Sequence, residues 1–299
     1  MKKNVVFLFL LMLFISLNMS IVSAQEADLK IGIMPAVDSA PIMLAQDKGY
    51  FAEEGLTMSI DIYTNAVNRQ TALQTNELDG AMTDLIAFVN NVNNGFPVKI
   101  TTSTDGSFPI LVSKDFEEKD EVLIGMMEVS VSNFLSEQFL GDQYKLNKTF
   151  IPAIPARLEM VKSGQLEMAV IPEPLASTGE LAGLEKRVYK NEYEYMPEAM
   201  IFTEKALAEK DDQIAAFHRA YNKAVKDIQA DENEAREILV KSLGLPEAVK
   251  DLISLPEYHL SRIPSEKYLN HVIEWIEKTD GSDIDINYNE VVEGKYSSQ

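Results

Sequence analysis

Five carboxylates in this sequence stand on short polar segments that follow apolar runs: Asp38, Asp84, Asp105, Glu128 and Glu173. Hydroxyl and amide side chains accompany them at Ser39, Asn65, Thr83, Thr104, Ser130, Ser132 and Asn133, while the nearby cations are few, Arg157 and Arg69. A carboxylate taken out of water attracts cations and accepts hydrogen bonds from N–H groups, and it repels an anion unless a cation pairs with it. The set therefore favours a small cationic or N–H-rich solute, such as an amine or an aminopyrimidine, over nitrate or a sulfonate. Glu173 is the strongest single acid, because the strand ahead of "IPEP" must end before Pro174 and deliver it at the sheet edge. The competing reading for each acid is a helix cap or a solvated loop position. Tyr63, Phe88, Phe108 and Phe134 flank these segments; stacking on a planar ring is open to them, and core packing is the simpler account of Phe88 and Phe134.

A search for bond-breaking chemistry finds little. His218, His259 and His271 stand far apart in the C-terminal third without ligand spacing, and read as exposed or partnered surface groups. There is no GxSxG turn, no phosphate loop ending in GK[ST], and no GxGxxG. The sequence points to binding rather than catalysis, with no cofactor and no metal.

The elements that must position the polar groups alternate strand and helix. Strands are expected over 29–34, 57–63, 81–82, 98–102, 108–114, 122–127, 149–151 and 168–171, with helices over 41–48, 68–77, 85–93, 132–140 and 157–163. Such alternation implies mostly parallel sheets covered on both faces, with ligands bound outside the carboxyl ends of the strands. The loop 36–41 leaves the first strand at that edge, and the helix it opens points N–H groups into the crevice. "ALQTNELDGAMTDL" and "MVKSGQLEMAVIPE" share one pattern, with Leu78–Asp79 falling on Leu166–Glu167 at an offset of 88, which suggests two halves of similar design. Residues 108–114 and 198–205 would cross between them. The remainder is helical, at 211–229, 232–243, 246–254 and 264–278, with Trp275 in the core.

The first residues differ. Lys2 and Lys3 precede an apolar run over 5–17 and the small-residue sequence "VSA", the form of a secretory signal cleaved after Ala24. The run falls short of the ~20 apolar residues that span a bilayer. Loss of Lys2 and Lys3 leaves 25 basic against 47 acidic residues, a net charge of −22, which disfavours nucleic acid and anionic membranes as partners. The chain has no cysteine, so neither disulfides nor a lipidated N-terminal cysteine is open to it.

Three segments carry a resemblance: "IGIMPAVDSAPIMLAQDKGYFAEEGL", "RQTALQTNELDGAMTDLIAFV" and "RLEMVKSGQLEMAVIPEPLAS". In this order, behind a secretion signal, they resemble the substrate-binding proteins of bacterial ABC importers for nitrate, sulfonates, taurine and thiamine-precursor pyrimidines. The resemblance implies an α/β, two-lobed type II periplasmic-binding-protein fold, with two doubly wound sheets joined by two crossing strands. It divides the chain into a signal peptide, 1–24, a first lobe of 25–107 plus 200–299, and a second of 108–199. It further implies a periplasmic monomer that closes around a small-molecule solute and docks on an ABC permease with its ATPase. An exported enzyme, a receptor-coupled sensor and a binder of anions such as sulfonate or nitrate are the alternatives on the same scaffold.

Overall fold

The computed structural model describes residues 27–191 and 193–298. The expected leader lies outside the described residues. The chain forms two five-stranded sheets. Strands β1 (Leu29–Ile33), β2 (Met58–Ile62), β3 (Gly80–Asp84) and β4 (Val98–Thr104) come first, followed by β5 (Ile110–Val112), β6 (Glu121–Met126), β7 (Lys145–Phe150), β8 (Met168–Val170), β9 (Glu185–Arg187) and β10 (Glu198–Thr203). The first sheet runs β2-β1-β3-β10-β4 and the second β7-β6-β8-β5-β9. Each is parallel at one side, and each holds one inserted antiparallel strand, β10 against β3 and β4, β5 against β8 and β9. The expectation of mostly parallel sheets is thus modified to mixed ones, because a strand arriving from the other half meets its neighbours head to tail.

The principal helices are α1 (Ala40–Asp47), α2 (Ala66–Gln74), α3 (Leu85–Asn93), α4 (Val131–Leu140), α5 (Ile154–Lys162), α6 (Leu175–Leu181), α7 (Asp211–Ala230), α8 (Asn233–Leu243) and α9 (Glu266–Asp280). Most begin and end for local reasons. Asn65, Asp84, Ser130 and Ser265 cap α2, α3, α4 and α9 with side-chain oxygens, and Gly244 and Gly281 close α8 and α9 at positive φ, a conformation that costs glycine little. The expected helix over 246–254 is instead a 3-10 turn, Glu247–Leu252. Helices α7 and α8 bury apolar stripes against α1 and the first sheet. A second core joins the halves, for Phe134 and Leu135 of α4 pack with Phe88, Leu269 and Val272, and Phe134 meets Trp275 edge to face.

The internal echo of the sequence is real in three dimensions. α2 and α5 both span nine residues and lie 88 residues apart. In the first half Asp79 accepts from the Lys30 backbone N–H at 2.8 Å and its own N–H returns to the Lys30 carbonyl; Glu167 does the same to Leu123. Two residues further along each strand sits a glycine, Gly32 or Gly125, on which an added Cβ would fall 2.7 Å from Leu78 or 2.4 Å from Leu166. Leucine, acid and glycine form one packing unit used twice.

Candidate functional site

Parallel strands deliver their following loops to a shared edge, and the inserted strands begin there. The loops after β1, β3, β6, β7 and β8 consequently face one another across a cavity of about 70 Å³. Ala36 and Asp38 line it from the first half and Pro172 from the second; the two walls also touch, since the Val37 N–H donates to the Glu173 carbonyl at 3.0 Å.

Asp38, Asp84 and Glu198 bring carboxyls to the first-half wall, and Arg69 stands among them. Glu198 is the first residue of β10 and is the register partner of Asp84 on β3. All three acids are buried, and desolvation raises each carboxyl above its ordinary range: Asp38 to about 7, against the pull of Arg69; Asp84 against the backbone N–H of Ala87, Arg69 and the backbone N–H groups of Val131 and Ile86; and Glu198 well above it, with Asp38 and Asp84 adding repulsion. Val131 belongs to the other half, so Asp84 meets both walls. Arg69 donates through Nη2 to Thr83 Oγ1 at 2.9 Å. Desolvation lowers its pKa, opposed by the three acids.

The second-half wall is different. Arg157 is only 3% exposed and donates through Nη1 to the Ile151 carbonyl at 3.0 Å, while burial lowers its pKa to about 10 with no compensating acid. Ser130 and Ser132 line the same wall, hydrogen-bonded to each other at 2.6 Å. Phe108, immediately ahead of β5, and Met127 supply apolar surface.

Of the residues singled out in the sequence, Asp38, Asp84, Ser130 and Ser132 meet at the cavity together with Arg69, Arg157 and Phe108. Thr83 and Ser39 lie behind it, Thr83 holding Arg69 and Ser39 donating to the Met34 carbonyl. Asn65 caps α2, Asn133 ties down the Glu128 carbonyl, and Thr104 is buried on β4. Three of the five acids take other positions. Glu128 is exposed. Asp105 accepts from the His259 N–H and ring and from Arg262, which binds the C-terminal segment to β4. Glu173 is fully buried, but its oxygens accept from Ser177, Lys186 and the Ser254 N–H, so it holds α6 and the C-terminal region together rather than facing solute. Glu198 was hidden in the sequence by its setting, "EAMIFT", which reads as the start of a segment crossing between the halves. The available signal is topological: the first residue of a strand inserted antiparallel lands at the ligand edge. Among the histidines, His218 is not a surface group, being buried and stacked on Tyr296, with desolvation lowering its pKa to about 3. Among the described residues no group of three or more His, Cys, Asp or Glu is spaced to hold a metal ion.

The model of the NMT1-like family matches residues 23–244. The chain belongs to the NMT1-like family. This member is similar in structure to the zinc-bound ligand-binding component of an ABC-type import system from Staphylococcus aureus, with a TM-score of 0.76 and 16% identity over 90% of this chain and 97% of that one. It is also similar to the periplasmic aliphatic sulphonate binding protein SsuA from Escherichia coli, at 0.73 and 15% over 91% and 92%. The periplasmic nitrate-binding protein NrtA from Synechocystis PCC 6803 matches at 0.64 and 14% over 74% and 68%. Identities this low speak to fold, and the fold of this NMT1-like chain is the two-lobed α/β architecture of periplasmic binding proteins. Among curated proteins none matches. No helix among the described residues is long and apolar enough to cross a membrane.

Proposed function

We propose that this protein is an extracytoplasmic solute-binding protein, which takes a small polar molecule into the cleft between its lobes and delivers it to an ABC permease with its ATPase. The observation that carries this is the cavity shared by the Ala36–Asp38 and Pro172 walls, lined by buried polar groups and walled by both halves of the chain. The three carboxyls on the first wall favour a solute with N–H donors. Ligand binding favours the closed form by its differential affinity for that form, and the family and fold support the same reading. Export through the leader, a free periplasmic monomer, and lobes of residues 25–107 plus 200–299 and 108–199 belong to this proposal. The membership of the sheets supports the division, with Glu198 and Ala199 joining the first lobe as part of β10.

A small-molecule library of amines, pyrimidines, amino acids, sulfonates and nitrate, screened by thermal shift, tests it. A ligand at 100 times its dissociation constant stabilises by about 2.7 kcal/mol, and no shift from any compound would count against solute capture. An exported enzyme is the second reading, favoured by the raised carboxyls of Asp38 and Glu198 in a cavity. It predicts that a compound stabilising the protein is also consumed, which mass spectrometry of the mixture after incubation decides.

A further inference from the structure

We propose that residues 252–262 form a strap that ties the two halves of the protein together and biases it toward the form in which the cavity walls touch. Movement of the halves belongs to the solute-binding function, whereas this control over it is a property of the unliganded chain, so the two stand or fall by different experiments. The chain passes from the first sheet to the second between β4 and β5, at 105–109, and returns between β9 and β10, at 188–197. Residues 253–262 follow the 3-10 turn Glu247–Leu252 and belong to no helix or strand. They and Leu252 nevertheless bond to both halves and to both crossings.

The second half grips the near end. The Lys186 ammonium donates to the Leu252 carbonyl, Glu173 Oε1 accepts from the Ser254 N–H at 3.1 Å, and α6 packs on the turn. The side chains of Lys186 and Glu173 are 5% and 0% exposed, so these charge-assisted bonds are made out of water, where they are strongest. The far end is fixed to the first half. Tyr258 Oη donates to the Val37 carbonyl at 2.8 Å, the Arg262 N–H donates to Thr102 Oγ1 at 3.0 Å, and the Arg262 carbonyl accepts from the Ser103 N–H at 2.6 Å. The same end clamps the crossings. Asp105, which opens the first, accepts from the His259 N–H at 2.8 Å and from Arg262 Nη2 at 3.2 Å. On the second, the Arg262 guanidinium donates to the Glu194 carbonyl at 3.1 Å and carboxylate at 3.2 Å, and lies over the Tyr195 ring.

These bonds close a circuit around the point where the walls meet. The Val37 N–H donates to the Glu173 carbonyl, Val37 gives its own carbonyl to Tyr258, and Glu173 gives its carboxylate to Ser254. The walls part only if the strap leaves Lys186 and Glu173 or gives up Tyr258 and Arg262. Either route strips partners from buried polar groups, which costs more than the bonds themselves contribute.

The chain has no cysteine, so spin labels at Val67→Cys on α2 and Phe150→Cys at the end of β7, exposed positions in opposite halves, report the opening without interference. Double electron–electron resonance of the unliganded protein should show mainly the shorter of two distances. Tyr258→Phe should raise the ratio of long to short distances about two- to tenfold, the weight of one neutral hydrogen bond, and Lys186→Met, which removes a charged donor, about tenfold or more. Gly125→Ala, an overpacking change inside the second half, should lower the urea midpoint and leave the distances unchanged. Urea midpoints report whether each variant folds, and if Lys186→Met does not, Tyr258→Phe decides. Unchanged distances in the folded strap variants, an equal change in Gly125→Ala, or a parent dominated by the long distance would each overturn the assignment.

Discussion

Replacing Glu173 by Gln separates a structural role from a ligand role. Lys186 gives its three N–H donors to Glu173 Oε1 at 2.9 Å, Ser177 Oγ at 3.0 Å and the Leu252 carbonyl, and its side chain is 5% exposed. The Glu173→Gln change removes the counter-charge and turns an amide group toward the donors of Ser177 or Ser254. Breaking a buried pair from one side costs roughly 3–5 kcal/mol. Glu180 Oε2 stays 2.7 Å from the ammonium, so the loss falls at the low end, about 3 kcal/mol, or a Tm decrease of about 6–12 °C. Lys186→Met should cost a similar amount, and the double variant should cost at least about 1 kcal/mol less than the sum of the two singles. Urea unfolding gives the three stabilities, with ligand affinity measured in parallel. A loss under about 1 kcal/mol for Glu173→Gln refutes the reasoning, and an unchanged midpoint with a tenfold fall in affinity would return Glu173 to the solute.

Other outcomes follow from the same geometry. Gly32→Ala and Gly125→Ala should each lose about 1–3 kcal/mol through overpacking, but only Gly32→Ala should also weaken ligand binding, because its Cβ meets the Arg69 side chain at 3.0 Å. Thr83→Val removes the acceptor for Arg69 Nη2 and should cost about 1–2 kcal/mol by denaturant unfolding. Asp38, raised to about 7, holds its proton in the folded state over a range where the unfolded chain has released it. The unliganded protein should therefore gain stability as pH falls from 7 toward 4, the reverse of an ion-paired carboxylate. The rise from 3.8 to about 7 sets a ceiling of about 4 kcal/mol, and Asp38→Asn should be more stable than the parent at pH 8 and lose most of that advantage by pH 5. Equal pH profiles for parent and variant would contradict the assignment.

The elements were legible because their signals are local. α3 matches its expected range of 85–93, and Gly49, Gly244 and Gly281 adopt the positive φ that glycine makes cheap at helix ends. The repeat was legible as Leu–acid, though its content, an acid clasping the strand two residues before a glycine, emerges only from pairing. The site was half legible. Asp38 and Asp84 follow strands of the parallel part, so the edge rule places them. Asp105 and Glu173 obey that rule too, but His259 and Arg262, remote in sequence, consume Asp105, and Ser177, Lys186 and the remote Ser254 consume Glu173. Glu198 lies at the start of a strand, and only its antiparallel insertion brings it beside Asp84.

The placement of β10 bears on how the chain is made. It sits between β3 and β4, yet about a hundred residues separate it from either in sequence, so the N-terminal sheet has a gap in its middle until residue 203 has been synthesised. The other sheet draws all its strands from 110–187 and is complete before that. The half that begins first therefore finishes last, and β3 and β4 lack their shared partner while the intervening residues are made, a window in which a neighbouring chain can pair with their open edges.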